Sequence, residues 1–355
     1  MIYIDGSYME GGGQIVRTAL ALSTLTGQPF KVDKIRHRRP KPGLKAQHLS
    51  CIDALKRMAN ARVDGDQLGA AAFEFFPGKI CANSIAIDIG TAGSITLLLQ
   101  SLLVPCLFAD GPVSLKITGG TDTKWSIPID YFDRVILPYF NRFAAVEINE
   151  IKRGYYPKGQ GRLHLGVTPC FHLRDFKTTK DFTAHLKNSL SKISLTTKAP
   201  PAEIQGKSSA SNHLKKAKVA ERQAWGAAGL LDRHGPVSIV CEYQNTASAG
   251  SVITLWAAPR EGSIVAGADA LGEKGLPAEK VGAAAAKKLM AFLDSDAVVD
   301  HHLADNLVPL LALVGGTLTT DRMTGHIRSN IYVCEKFLDV SFCINENDNR
   351  ISVEI

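Results

Sequence analysis

Apolar residues along the chain follow two periods, and their alternation predicts mixed α and β structure. Short apolar runs such as residues 1–5 and 30–35 are typical of strands, whereas residues 13–27 carry apolar side chains at helical spacing and end in a glycine. The apolar stripe of this helix is formed by Ile15, Ala19, Leu22 and Leu25. A second helix is predicted over residues 43–58, and two short strands follow it.

The same order of helix, strand and helix occurs twice more. The second copy has a glycine-led apolar helix over residues 90–111, a strand over 112–120 and a helix over 129–143, and the third copy begins at residue 301. Because the pattern repeats without close identity, it indicates stacked units of similar architecture. We therefore predict an α/β (α+β) fold whose large domain contains three repeated units, each with two helices and four strands.

The segment between the second and third copies has a different character. Residues 174–272 are polar and irregular, with one good helix over about 212–231 flanked by β runs. We expect a small α/β domain over residues 175–272, inserted into a large domain formed by residues 1–174 and 273–355. Its basic residues would face nucleic acid or simply form a solvated helix face; they are Lys207, Lys215, Lys216, Lys218 and Arg222.

Composition is typical of a globular protein, with 45% hydrophobic and 21% charged residues. The chain has no apolar run of about 18 residues or more and no signal-peptide pattern at its start, so we predict a cytoplasmic protein with no membrane contact. Seven dispersed cysteines without a C-x-x-C pair argue against a disulfide framework and against structural zinc, and predict small buried hydrophobic residues.

The net charge of +7 favours an anionic partner, but a total charge by itself is only a weak indication. Its distribution is more informative. Residues 36–45 (RHRRPKPGLK) concentrate cations, and Pro40 and Pro42 stiffen the backbone between them, so the cations lose less entropy when they meet an anion. A solvated charge run is the alternative interpretation.

Three glycines precede the first predicted helix in the sequence EGGGQIVR, residues 10–17. The segment is not a P-loop, which needs a lysine after its second glycine, and it lacks the G-x-G-x-x-G spacing of dinucleotide-binding folds. Glycines at a helix start let backbone amides approach an anion. Glu10 beside Arg17 suits a metal–triphosphate group, with Glu10 for the cation and Arg17 for phosphate oxygens. The alternative is an ordinary surface helix start.

Two histidine-containing segments are further candidates. His301, His302 and Asp305 have a spacing that resembles zinc ligands, but there is no H-E-x-x-H pattern and no identifiable third ligand partner, which argues against zinc. His326 follows Gly325 at a predicted helix start, where the helix dipole favours the neutral, nucleophilic imidazole. A packed or capping histidine is the alternative for His326.

Taken in order, these segments resemble the RNA 3′-terminal phosphate cyclase family. The landmarks run along nearly the whole chain and include DGSYMEGGGQIVRTALALSTLTGQPF, IRHRRPKPGLKAQHL, GTAGSITLLLQSLL, FADGPVSLKITGGTD, RGYYPKGQG, EKGLPAEKVG, HLADNLVPLLAL and HIRSN. The resemblance implies a large domain of three repeated α/β units with a smaller α/β domain inserted before the third, which agrees with the pattern described above.

The resemblance also implies an activity. Members of the family use ATP to convert an RNA 3′-phosphate into a 2′,3′-cyclic phosphate. A histidine takes AMP from ATP, AMP passes to the RNA 3′-phosphate, and the neighbouring 2′-OH closes the ring and expels AMP. The implied partners are ATP, Mg²⁺ or Mn²⁺, and an RNA that ends in a 3′-phosphate. Nothing in the sequence indicates an oligomeric state.

Site residues follow from the resemblance by motif. The nucleophile is His326, and Glu10 matches the carboxylate near the metal. The residues expected to handle phosphates of ATP or of the RNA end are Arg17, Arg36, Arg39 and Gln47. The residues expected to bind the adenylate are Gln100, Pro128, Tyr131, His302, Leu303, Ala304, Asp305 and Asn306. Pro128 and Tyr131 are expected to wall the adenine, and Asp305 to orient the nucleophile or to bind the ribose.

Three positions depart from the family pattern. His302 and Asn306 stand where tyrosine and glutamine are frequent, and both keep a polar side chain. In RGYYPKGQG, Gln160 replaces the middle glycine of a three-glycine signature, which would strain the turn if that position has positive φ.

Two alternative functions for this chain come from related protein classes. One branch of the family acts in ribosome biogenesis as a non-catalytic RNA-binding or protein-binding factor, and that branch lacks the nucleophile and its phosphate ligands. Enolpyruvyl transferases are built on similar repeated units, but they would not explain His326 or the landmark segments. We therefore favour the enzyme.

Overall fold

A computed structural model describes residues 1–354. The first repeat begins at the N-terminus. Its elements are β1 (Ile2–Asp5), α1 (Gly13–Thr26), β2 (Phe30–Asp33), α2 (Ala46–Ala59), β3 (Arg62–Asp64) and β4 (Phe73–Phe76). The sheet order is β1-β2-β4-β3, with β1 and β2 parallel and the other pairs antiparallel. Gly27 ends α1 with φ of 69°, a left-handed conformation that glycine adopts without strain.

The second repeat has the same sheet order. Its elements are β5 (Ser84–Asp88), α3 (Ile95–Cys106), β6 (Val113–Gly119), α4 (Ile129–Tyr131), α5 (Leu137–Phe140), β7 (Ala144–Lys152) and β8 (Gly161–Pro169). A π-helical turn at Phe132–Ile136 joins α4 to α5 within the single helix that the sequence predicts. The order β5-β6-β8-β7 reproduces that of the first sheet.

A different sheet follows after two short elements. The elements are α6 (Thr179–Ser189), β9 (Ile193–Leu195), β10 (Glu203–Ser211), α7 (Val219–Leu231), β11 (Val237–Gln244), β12 (Ser251–Ala258), β13 (Gly267–Leu271) and α8 (Ala278–Leu293). The strand order is β11-β10-β12-β13, and α7 and α8 share a separate apolar core with it. These helices touch closely, because a Cβ at Gly282 would lie 1.9 Å from the Gln223 carbonyl oxygen.

The third repeat completes the chain. Its remaining elements are α9 (His301–Val314), β14 (Gly316–Thr319), α10 (Gly325–Phe337), β15 (Ser341–Asn345) and β16 (Arg350–Glu354). The sheet order is β9-β14-β16-β15, with β9 and β14 parallel. Three sheets with one strand order confirm the predicted α/β fold class. The fourth sheet lies in sequence between the first strand and the first helix of the third repeat.

Two elements do not pack with the part of the chain to which the predicted boundaries at residues 175 and 272 assign them. β9 pairs with β14 and therefore belongs to the third repeat, although it lies within the predicted insertion. α8 packs on α7 and on the inserted sheet, although it lies beyond the predicted insertion. The three-residue β9 is too short to show a period, and the apolar stripe of α8 does not reveal which sheet it covers. The division into two domains stays a prediction.

The helices of the three repeats meet around α1. This helix packs against α2, α3 and α10, and every residue from Gln14 to Thr26 is buried. The predicted stripe on α1 is confirmed, but the opposite face is covered as well. As a result Gln14, Arg17 and Thr18 are polar side chains enclosed where the repeats meet.

The cysteines divide into two groups. Cys51, Cys106 and Cys334 are buried, as predicted, whereas Cys81, Cys170, Cys241 and Cys343 are exposed, so the prediction of buried cysteines is wrong for those four. Across the described part of the chain, no helix combines the length and the apolar character that a membrane span requires.

Candidate functional site

Two helix N-termini face each other at the junction of the first and third repeats. α1 begins after Gly12 and has no side chain capping its first amides, whereas Thr324 caps α10 by accepting from the Ile327 amide. A Cβ at Gly12 would lie 3.8 Å from His326 Nε2 and 3.8 Å from Arg39 Nη2. Uncapped amides, a cation and an imidazole therefore border one small space, which is an arrangement suited to an anion.

Glu10 lies at the edge of this space. Its Oε2 atom accepts from Arg39 Nη2 at 3.0 Å and lies 3.6 Å from His326 Nε2. All three side chains are partly exposed, at 38–48% of their area, so a ligand can reach them. A Cβ at Gly325 would lie 2.6 Å from Glu10 Oε1, so glycine at this position leaves room for the carboxylate.

A chain of partly buried polar groups connects the three repeats behind the space. Arg17 Nε donates to Gln100 Oε1 at 2.9 Å, and Gln100 Nε2 donates to Asn306 Oδ1 at 3.2 Å. Asn306 Nδ2 in turn donates to the His302 carbonyl at 2.8 Å. These bonds join α1, α3 and α9, so each side chain is held by an element from a different repeat.

Asp305 is the buried carboxylate of the cluster. It accepts from Gln14 Nε2 at 3.0 Å and from Asn330 Nδ2 at 2.8 Å. Burial raises the pKa of Asp305, and the nearby charges of His326 and Arg17 act in the opposite direction. Asn330 follows His326 by one turn of α10, so the bond to Asp305 fixes the helix that carries the histidine.

Gln47 and Arg36 lie on the neighbouring wall. Gln47 Nε2 donates to the Ser94 carbonyl at 2.9 Å, which ties the start of α2 to the start of α3. Arg36 has φ of 55°, and its Nε atom is buried without a hydrogen-bond partner among the described residues. Burial, together with the charge of Arg39, lowers the pKa of Arg36.

His48 belongs to the cluster but is not among the predicted site residues. Its Nδ1 atom accepts from the Lys45 amide at 3.0 Å, and its Nε2 atom lies 2.2 Å from the position of a Cβ at Gly13. Burial and the charges of Arg17 and Arg36 lower the pKa of His48 to about 3, so its imidazole is neutral at pH 7. With Nδ1 accepting, the proton resides on Nε2 and faces α1. The signals in the sequence are its position beside Gln47 and the glycine at residue 13.

The predicted adenine wall is partly closed. Tyr131 is fully buried, its hydroxyl donates to Asp300 at 2.6 Å, and its ring meets that of His302 edge to face with centroids 5.9 Å apart. Pro128 is buried just before α4. Leu303 and Ala304 have 0% exposure and pack into the core, so neither presents an accessible atom to a ligand here, and their binding role stays a prediction.

Asp300, which was not predicted as a site residue, organises this wall. Its carboxylate caps α9 by accepting from the His302 and Leu303 amides, and it also accepts from the Gly267 amide at 2.8 Å. Tyr131 and the inserted sheet are thereby attached to the N-terminus of α9. An aspartate directly before a predicted helix is a capping signal that the sequence does contain.

No group of three histidine, cysteine or carboxylate ligands occurs among residues 1–354. His301 Nδ1 donates to the Asp321 carboxylate at 3.1 Å rather than joining Asp305 in a ligand set. Glu10 therefore stands as a single accessible carboxylate. This suits Mg²⁺ or a similar ion, which often binds one or two carboxylates together with water and substrate phosphates.

Gln160 lies in the turn of RGYYPKGQG, where positive φ would strain a residue other than glycine. Its φ is 57°, in the left-handed region, next to Gly159 with φ of 66°. The turn therefore needs positive φ where the family signature has glycine, and glutamine there costs about 1–2 kcal/mol.

Comparison with known proteins gives one consistent result. The sequence model of the family described as RNA 3′-terminal phosphate cyclase matches residues 8–344. The RNA 3′-terminal phosphate cyclase of Methanosarcina acetivorans is 44% identical over 362 residues, covering 100% of both chains. Those of Pyrococcus furiosus and Archaeoglobus fulgidus are each 42% identical, covering 96% and 95% of this chain and 94% and 96% of the relatives.

Proposed function

The chain belongs to the RNA 3′-terminal phosphate cyclase family and is an enzyme of this type, and from this premise we propose that it uses ATP to close an RNA 3′-terminal phosphate into a 2′,3′-cyclic phosphodiester. The observation that carries the proposal is the position of His326 Nε2. It faces the uncapped start of α1 and lies beside both Glu10 and the space next to Arg39.

In the first step His326 Nε2 attacks the α-phosphorus of ATP. A nitrogen–phosphorus bond forms, the bond to the bridging oxygen breaks, and pyrophosphate leaves with its electron pair. The α1 amides, Arg17 and Arg39 hold phosphate oxygens. Asp305 acts through Asn330 and its own charge to position the helix of His326. Gln100 and Asn306, with Pro128, Tyr131 and His302, form the adenosine side of the site.

Glu10 would hold Mg²⁺ or Mn²⁺ together with water and phosphate oxygens. When bound, such an ion offsets the negative charge that builds up on the triphosphate. The half-exposed carboxylate is free to change partner, because its bond to Arg39 and its contact with His326 lie at the surface.

In the second step an oxygen of the RNA 3′-phosphate attacks the adenylated histidine, and AMP passes to the RNA while His326 is released. In the third step the terminal 2′-OH attacks the 3′-phosphorus, AMP leaves, and the hydroxyl proton is lost. Phosphate oxygen becomes a good leaving group only after adenylylation, which explains the use of ATP. We assign the phosphate of the RNA end to Arg36 and Gln47, and the buried Arg36 Nε without a hydrogen-bond partner among the described residues supports this role.

The test is covalent labelling. The purified protein is incubated with ATP labelled in the α-phosphate and with Mg²⁺ or Mn²⁺, then denatured and counted. We expect label on the wild type, none on His326→Ala, and full label on His37→Ala, a matched control because His37 is another exposed histidine. Undiminished label on His326→Ala would disprove the nucleophile assignment.

The same experiment separates the enzyme from a non-catalytic binding factor. A folded wild type that takes no label and leaves RNA 3′-phosphate sensitive to phosphatase in the presence of ATP would support the binding factor. We expect instead that phosphatase resistance of the RNA end appears only when ATP is present.

A further inference from the structure

Trp125 is the most exposed large hydrophobic residue of the described chain, with 95% of its surface accessible. Its φ is 70°, a left-handed conformation that is rare for a bulky residue. Trp256, by contrast, is only 6% exposed. Both the exposure of the apolar indole and the left-handed backbone conformation are unfavourable, and strained residues of this kind cluster at functional sites.

The loop that carries Trp125 is fixed at both ends. The Ile129 amide donates to the Thr121 carbonyl at 3.1 Å, and Thr96 Oγ1 donates to the Ile127 carbonyl at 2.8 Å. Thr123 and Ser126 share a hydrogen bond of 3.0 Å across the tip. The indole is therefore held out towards solvent by an anchored loop.

This loop forms part of the rim of the proposed active site. Thr96, which anchors it, precedes Gln100 by one turn of α3, and Pro128 follows the anchored Ile127 directly. At its other end Gly120 forms a β-bridge with Ser94, the residue whose carbonyl accepts from Gln47. The loop that carries Trp125 is thus attached at one end beside Pro128 and the helix turn of Gln100, and at the other end beside Ser94, the partner of Gln47.

Cationic and aromatic side chains accompany Trp125 on this rim. Lys124 is exposed and pairs with Glu273 at 2.9 Å. The neighbouring loop over residues 153–161 presents exposed Tyr156 and Lys158, and it packs on residues 91–92, since a Cβ at Gly159 would lie 2.7 Å from the Thr91 carbonyl oxygen. Surfaces that bind single-stranded nucleic acid combine such positive charge with aromatic rings on which bases stack.

We propose that Trp125 stacks on a base near the 3′ end of the RNA and so positions the terminal phosphate towards the Gln47 side of the site. The proposal rests on the proposed function, because it assumes that RNA is the substrate. Stacking on an indole is tolerant of base identity, since every base has a π face. The subsite therefore serves RNA ends of different sequence.

The test compares Trp125→Ala, Trp125→Phe and Trp225→Ala. Trp225 is a matched control, because it is 75% exposed on α7 of the inserted unit. Affinity for a single-stranded RNA ending in 3′-phosphate is measured without ATP, and labelling of His326 by ATP is measured without RNA. We expect Trp125→Ala to weaken RNA binding by about 5- to 100-fold, as loss of one stacked base predicts. Trp125→Phe should recover most of the affinity, and Trp225→Ala should change it less than twofold.

A second arm locates the base. Replacing single nucleotides near the RNA 3′ end by abasic ones should weaken binding to the wild type at one position and should add nothing in Trp125→Ala. A merely structural role of Trp125 would not produce this dependence on the missing base.

The proposal is overturned if Trp125→Ala labels normally with ATP and binds RNA as the wild type does. It is also overturned if Trp125→Ala instead loses a concentration-dependent self-association of the wild type with unchanged RNA affinity, since the indole would then contact a second copy. Failure of the proposed function has a different signature, namely a wild type that takes no label while the RNA affinities still differ.

Discussion

The buried neutral His48 makes the stability of the protein depend on pH. Only 3% of His48 is exposed, and burial with nearby cations lowers its pKa from 6.5 to about 3. In the unfolded chain the imidazole takes up a proton as pH falls through 6.5, whereas in the folded protein it stays neutral until about pH 3. The contribution is therefore present above pH 6.5 and is lost progressively as pH falls from 6.5 towards 3.

The magnitude follows from the two pKa values. Between pH 7 and pH 5 the unfolded state gains about 0.7 of a proton at this position, whereas the folded state gains almost none. The free energy of unfolding should then fall by about 2 kcal/mol, at ~1.4 kcal/mol for each pH unit below 6.5. For a urea slope of about 3 kcal/mol/M this is a shift of about 0.7 M in the unfolding midpoint.

The assay is urea unfolding of the wild type and of His48→Asn at pH 7 and pH 5. Asparagine is chosen because its Oδ1 atom can accept from the Lys45 amide as His48 Nδ1 does, while the side chain does not titrate. All other groups titrate equally in the two proteins, so the difference between their pH dependences isolates His48. Equal midpoint shifts in both proteins would refute the reasoning, because His48 would then be protonated in the folded state as readily as in the unfolded one.

Three further outcomes are expected. Gly12→Ala should fold normally, because φ is −77° and no atom lies closer than 3.8 Å to the new methyl group. The methyl faces His326 Nε2 and Arg39 Nη2, so labelling of His326 should fall at least tenfold, at about 1.4 kcal/mol per factor of ten. Full labelling would mean that the phosphates bind elsewhere. Arg153→Met should lower the free energy of unfolding by about 3–5 kcal/mol, measured in urea, because the guanidinium pairs with three carboxylates and has 0% side-chain exposure. A loss under ~1 kcal/mol would contradict that account. Gln160→Gly should stabilise by about 0.5–1 kcal/mol, since relief of the left-handed strain exceeds the added chain entropy of glycine; a lower melting temperature would show that the Gln160 side chain contributes more than the strain costs.

Much of the local structure could be predicted because its causes are local. The helix that ends at Gly27, the strand over 30–33 and the helix that begins beside His326 each show a period or an end signal within their own residues. β9 and the role of α8 could not be predicted in the same way. Their assignment depends on which distant sheet they contact, and a three-residue strand has too few positions to show a period.

The candidate site divides along the same line. Glycine positions, charge and motif predict Glu10, Arg17 and His326, and the structure brings them into one cluster. These signals do not predict His48 or Asp300. A histidine on an apolar helix face and an aspartate before a helix are common in sequences, and only their partners make these two distinctive.

Local patterns in the sequence specify the order of the elements, the ends of the helices and the residue types that chemistry at a phosphate requires. Long-range packing places α1, α3, α9 and α10 of the three repeats around one partly buried set of polar side chains, and it holds Trp125 out on an anchored loop. The physical reason is range. Backbone conformation and periodicity act over a few residues, whereas burial, pKa shifts and hydrogen bonds such as that from Gln14 to Asp305 join positions almost three hundred residues apart.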